Sequence, residues 1–147
     1  MTFRQIQFLS VLHAFDAKNR TTQIHNPFQY NILPELLKRL PLKGDRNGHF
    51  VCVIQGDKEV DLKMAAKISG NKNCDLIPMK DLLATTGYIR GGCTPIGMKK
   101  TFPTFIDDSC LAFDYIYISA GQRGLQLRLS PTDLIAYTRA TTATLSL

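Results

Sequence analysis

Three glycines within seven positions, Gly91, Gly92 and Gly97, bracket Cys93, Thr94 and Pro95 in the run from Thr86 to Lys100. Glycine lets a backbone turn sharply and approach a ligand closely, so this run can offer main-chain amides to a substrate. Arg90 precedes the glycine pair, and Lys99 and Lys100 follow it. Cations on both flanks suit a polyanion such as a nucleic-acid backbone. A second small-residue turn, Ser119-Ala120-Gly121, directly follows a β-branched and aromatic run. A serine at a strand end can present its hydroxyl and the neighbouring amides to an anion or a carbonyl oxygen. Both stretches also have a plain reading, as a surface loop with solvated lysines and as an ordinary strand-to-turn serine.

Other chemistries find no support. The chain has no glycine-rich phosphate loop ending in Gly-Lys-Ser/Thr and no Gly-x-Ser-x-Gly nucleophile elbow. Cys52, Cys74, Cys93 and Cys110 form no Cys-x-x-Cys pair, and His13, His25 and His49 share no ligand spacing. A zinc site or a thioredoxin-like motif is therefore disfavoured, and neither metal nor cofactor is expected. Cys93 lies in the glycine run, but no histidine is near it in sequence to activate a thiol. Cys52 sits in an apolar run and is expected in the core. With no leader segment apparent, the expectation is a cytoplasmic protein with reduced thiols.

At 147 residues, 44% hydrophobic and 20% charged, the chain has the size and composition of one globular domain. Its formal charge of +6 and pI near 9.3 favour an acidic partner. Nucleic acid ranks ahead of a membrane because no basic amphipathic helix stands out.

The elements that must position these residues are read from periodicity and punctuation. A first helix is expected over Phe3 to Leu12 and a loop from Lys18 to Asn26. Leu33 to Leu40, with Pro34 at its start, basic residues Lys38 and Arg39 near its end and Pro41 behind it, reads as a short helix. Phe50 to Ile54 is a continuous apolar run suited to a buried strand, after turn chemistry at Gly44 to Gly48. Asp61 caps a helix through Ser69 that Gly70 closes; Cys74 to Ile77 is a strand; Pro78 opens a helix to about Thr85. Thr104 to Ile106 is β-rich, and Tyr115 to Ser119 with Leu125 to Leu129 reads as a hairpin. Ser130-Pro131-Thr132-Asp133 starts a last helix, ending near Arg139, and Thr141 to Leu147 is expected to fray. Short strands in irregular alternation with helices point to an α+β fold, a mixed curled β-sheet or barrel-like core with helices packed around it.

Several blocks in order carry a family resemblance: Gly56-Asp57-Lys58-Glu59-Val60-Asp61-Leu62-Lys63-Met64-Ala65-Ala66-Lys67, Thr86 to Lys100, Phe102 to Asp107, Ile116 to Gly121 and Arg123-Gly124-Leu125-Gln126-Leu127. Together they resemble the YbaK family of aminoacyl-tRNA deacylases, related to the editing domain of prolyl-tRNA synthetase. The resemblance covers about residues 43–140 of a single editing domain spanning 1–147, with 1–42 atypical.

The resemblance implies a trans-editing deacylase that clears Cys-tRNA(Pro), with Cys-tRNA(Cys) as a further substrate. The alternatives are an Ala-tRNA(Pro) deacylase of the same fold and a catalytically defective tRNA-binding protein. The partners implied are aminoacylated tRNA and, as a second candidate, prolyl-tRNA synthetase. In the family a Gly-x-x-x-Pro motif, matched by Gly91 to Pro95, lines the pocket for the aminoacyl end. Gly91, Gly92, Thr94, Pro95, Ser119 and Gly121 are thereby assigned to substrate binding, and Arg90, Lys99 and Lys100 to the tRNA backbone. The family mechanism has the substrate thiol attack its own ester, so the protein positions and stabilises rather than attacks. An essential lysine stands in a family strand, typically Phe-Lys-Thr-Leu, and ungapped counting places Lys38 there as the catalytic cation. Arg39 stands where threonine is usual, and Pro41 falls inside the expected strand.

Overall fold

The computed structural model describes residues 35–87, 101–119 and 126–147. The first helix and loop expected before residue 35 lie outside them. Strand β1 (Leu37–Gly44) runs antiparallel to β2 (His49–Gln55), and helix α1 (Leu62–Ile68) follows. Next come β3 (Cys74–Leu76), α2 (Met79–Thr86), β4 (Thr104–Asp107), a 3-10 turn (Asp108–Ala112), the hairpin β5 (Ile116–Ser119) and β6 (Gln126–Leu129), α3 (Pro131–Thr138) and β7 (Thr141–Ala143). Five strands form a mixed sheet in the order β3-β1-β2-β4-β7, with β2-β4 and β4-β7 parallel. The fold is α+β, as expected.

The helix signals work as their chemistry dictates. Asp61 accepts from the Lys63 and Met64 amides at 3.1 and 3.2 Å to start α1, and Gly70 follows its end with φ +76°. Ser130 accepts from the Asp133 amide at 3.2 Å to start α3, with Pro131 in its first turn. The turn between β1 and β2 is held from outside: Asn71 Oδ1 accepts from the Arg46 and Asn47 amides at 2.9 and 2.8 Å.

Two expectations are corrected. Residues 37–40, read as part of a short helix, belong to β1. The helical signal came from apolar residues on both faces of a strand covered on both sides. Leu37 joins a core with Val53, Ile106, Ile118 and Leu129, beneath the hairpin and α3. Leu42 joins the other with Phe50, Ile54 and Ala65, beneath α1. A strand buried on both faces loses the clean two-residue alternation.

Pro41 stands inside this strand without breaking its main ladder. It pairs with Val51, whose N–H donates instead to Pro103 O at 2.9 Å, on the β4 side. The Pro41 carbonyl accepts from Ile77 N at 3.2 Å on the β3 side. Because a strand residue's N–H and C=O point the same way, the missing donor faces that edge as well, beyond the last β1–β3 pair, Leu42 with Leu76.

The second correction concerns the carboxyl-terminal residues. Thr141–Ala143 is a strand paired with β4, and Leu145 is fully buried. The cause is Asp107, 2% exposed, whose Oδ1 accepts from the amides of Leu145 and Ser146 at 2.6 and 3.1 Å. A long-range carboxylate, invisible to local propensity, ties the tail down.

Candidate active site

β1 and β5 position the two expected site residues that the structure describes. Leu36 and Tyr117 form a parallel bridge, with the Tyr117 amide donating to Glu35 O at 2.9 Å. Strand side chains alternate between faces. Leu37, Ile116 and Ile118 enter the hairpin-side core, which leaves Leu36 and Tyr117 on the opposite face. Two residues further along each strand stand Lys38 and Ser119, on that same face of neighbouring strands. Arg39 is 5% exposed and pairs with Val53, a residue of the hairpin-side core. The cation that shares a face with Ser119 is therefore Lys38 and not the adjacent guanidinium.

Lys38 is half-buried and opposite Ile54 in the β1–β2 register. Ser119 is 8% exposed and ends β5. An ammonium and a hydroxyl on one face can together supply a cation and a hydrogen-bonding group to an ester whose carbonyl oxygen is gaining charge.

The glycine run departs from α2 by a defined exit. Buried Thr86 donates its hydroxyl to Leu82 O at 2.8 Å, and Gly87 takes φ +77° with its amide on Leu83 O at 2.8 Å. This is the left-handed helix end that glycine adopts without strain. Arg90, Gly91, Gly92, Thr94, Pro95, Lys99, Lys100 and Gly121 lie outside the described residues. The chain re-enters before β4, where Pro103 O receives the Val51 amide.

The described cysteines are core residues. Cys52, Cys74 and Cys110 are free and buried. Burial pushes the Cys52 thiol up to about 12 and the Cys110 thiol up to about 11, so both stay protonated and un-nucleophilic at neutral pH. Cys93 lies outside the described residues. Among the described residues no group of three His, Cys, Asp or Glu side chains is placed to hold a metal. Nor is any helix among them long and apolar enough to cross a membrane.

Sequence reasoning missed one neighbouring feature. Glu35, Tyr115, Tyr117 and Arg128 line an open hollow of about 330 Å³. Its signal was the alternation Tyr115-Ile116-Tyr117-Ile118 against Leu127-Arg128-Leu129, which buries the aliphatic residues and sends the tyrosines and the arginine to the other face.

The fold and these residues define an editing domain: the pattern of the aminoacyl-tRNA editing domain family matches residues 33–137, and the chain belongs to that family. Its match begins ten residues upstream of the expected boundary at 43 and includes Lys38. The chain is 48% identical over 103 residues to a protein of Enterococcus faecalis (strain ATCC 700802 / V583) named as a Cys-tRNA(Pro)/Cys-tRNA(Cys) deacylase, EbsC. That alignment takes in 70% of this chain and 63% of the relative, so the chain matches less than two thirds of the relative's length. Among solved structures it is similar to one described as a trans-editing enzyme for prolyl-tRNA synthetase, with TM-score 0.81, 20% identity, and coverage of 100% of this chain and 99% of the other. A second, the hypothetical protein APE2540, has TM-score 0.75 at 23% identity and covers 87% of each chain. At these identities the structural likeness establishes the fold.

Proposed function

We propose that this chain is a trans-editing deacylase that clears Cys-tRNA(Pro), and with it Cys-tRNA(Cys), by holding the cysteinyl ester in position for attack by its own thiol. The observation that carries the reading is Lys38 beside Ser119 on one face of adjoining strands. Support for the substrate comes from the 48% identical relative and its name.

In this reaction the substrate sulfur bonds to its own carbonyl carbon and the bond from that carbon to the ribose oxygen breaks. The thiol proton ends on the ribose hydroxyl, and the products are a cyclic thiolactone and free tRNA. No protein nucleophile enters, in keeping with the protonated, buried thiols of Cys52 and Cys110. Lys38 stabilises the carbonyl oxygen as it gains charge, Ser119 orients the ester, and amides of Gly91 and Gly92 complete the pocket with Thr94, Pro95 and Gly121. Arg90, Lys99 and Lys100 meet tRNA phosphates. The reading takes 1–147 as one editing domain acting on aminoacylated tRNA in the cytoplasm, with prolyl-tRNA synthetase as a docking partner.

The deciding experiment charges tRNA(Pro) with cysteine or with alanine and follows loss of each aminoacyl bond with the purified protein. Faster loss of cysteine is expected. Faster release of alanine would reassign the substrate, and release of neither would leave a tRNA-binding protein.

A further inference from the structure

We infer that Asn47 is a site of spontaneous deamidation: the Gly48 nitrogen attacks the Asn47 side-chain amide, and the aspartyl or isoaspartyl residue that results releases the end of α1 from the β1–β2 turn. The reaction is the chain's own, with water as the co-reactant. It is independent of the proposed function.

No other asparagine of the chain is followed by glycine. Deamidation closes a ring between a backbone nitrogen and the side chain that precedes it, and a Cβ on the attacking residue crowds that approach; glycine has none. The fold leaves the pair open. Asn47 and Gly48 are both exposed in the turn between β1 and β2, Gly48 takes φ +74°, and a Cβ built on it would meet nothing within 4 Å. Gly48 O accepts from the Gly44 amide at 2.8 Å, whereas the Gly48 N–H donates to none of the described residues. The nitrogen that must give up its proton is therefore held by no acceptor among them. Asn71 is the contrast: it is 7% exposed, it precedes a lysine, and its side chain is engaged by the Arg46 and Asn47 amides and by Ser69 Oγ.

In the first step the bond from Gly48 N to Asn47 Cγ forms and the bond from Cγ to Nδ2 breaks. Nδ2 leaves as ammonia, and the proton it takes up balances the one that the Gly48 amide loses to solvent base. Water then opens the cyclic imide at either carbonyl, giving aspartate or an isoaspartyl linkage that adds a methylene to the main chain. The atom lost, Nδ2, is the one that ties this turn to α1. It donates to Ser69 O at 2.9 Å, and it lies so near Gly70 that a Cβ there would come within 2.6 Å of it. A carboxylate oxygen in its place faces the Ser69 carbonyl with no hydrogen to share and adds negative charge at the carbonyl end of the helix. Both effects push the turn and the helix end apart.

The test incubates the full chain in warm, mildly alkaline buffer and follows it by peptide mass spectrometry, ammonia release and thermal melting. Asn47 is expected to gain the mass of oxygen over NH before Asn71 or Asn73 does, and faster as the pH rises. Asn47→Gln, which would have to close a larger ring, should lose the change at that position. Asn47→Asp, one product made directly, should melt about 2–4 °C below the wild type, the shift for one hydrogen bond in a domain of this size, and the aged protein should fall by at least as much. The mass measurement is made on the wild type, so it stands even where a variant fails to fold. An Asn47 that stays intact throughout, or while Asn71 or Asn73 is converted, would overturn the site. Aged protein that carries the change at Asn47 and melts like fresh protein would overturn the release of α1.

Discussion

Lys38 and Ser119 lie equally far beyond one parallel bridge, Leu36 with Tyr117, and so occupy the same face of two neighbouring strands although they are 81 residues apart in sequence. What brings them together is register rather than proximity in the chain. Alternation makes the arrangement strict, since a slip of one residue in either strand would send one of the two side chains into the hairpin-side core.

Removing the cation is expected to strike chemistry more than binding. Lys38→Ala should lower kcat for cysteinyl-tRNA deacylation by about a hundredfold or more, the scale for one preorganised electrostatic group. The affinity for uncharged tRNA should stay nearly constant. Single-turnover deacylation beside equilibrium binding checks this, and equal activity of variant and wild type would take Lys38 out of the mechanism.

Ser119→Ala should cost less, about tenfold in kcat/KM, because one hydroxyl contact is lost while the β5 backbone remains paired with β6. The same assay reads it. A loss as large as that for Lys38→Ala would give Ser119 more than an orienting part.

The cationic flanks predict a salt dependence. If Arg90, Lys99 and Lys100 each meet a phosphate, changing all three to alanine should flatten the slope of log K against log salt by about 2 to 3, at roughly 0.7–0.9 per contact. Titrations at several salt concentrations measure it, and an unchanged slope would place the tRNA backbone elsewhere.

Asp107 links stability to pH. Burial pushes its carboxyl pKa up, but hydrogen bonds from the Ser109 hydroxyl and from the Leu145, Ser146 and Ser109 amides outweigh burial and hold it below the ordinary value. A depressed pKa stabilises fully above the unfolded carboxylate value, near 3.9, and the contribution is lost as pH falls through the lower folded value. Asp107→Asn should therefore destabilise the protein by about 1–3 kcal/mol at neutral pH. The gap to wild type should narrow once the pH drops below about 4. Denaturant unfolding across that range provides the check.

Local chemistry made much of the scaffold legible before any coordinates. Asp61 and Ser130 each carry a side chain that satisfies helix-start amides within three residues, so both helix starts were readable. The β5–β6 hairpin was readable because Ile116 and Ile118 alternate with tyrosines across a strand buried on one side. The order of the family blocks, with the glycine run and Ser119, named the family that the comparisons bear out.

Tertiary structure alone decided β1, the tail and the placing of Lys38 and Ser119 on one face of neighbouring strands. β1 is buried on both faces, so its apolar residues carry no two-residue signal, and Pro41 is tolerated because its missing donor points to an edge that only the sheet order defines. The tail is ordered by Asp107, a partner 38 residues from Leu145. Caps and alternation act within a few residues and are written in the sequence; which strand lies beside which, and so which side chains share a face, is a property of the folded sheet.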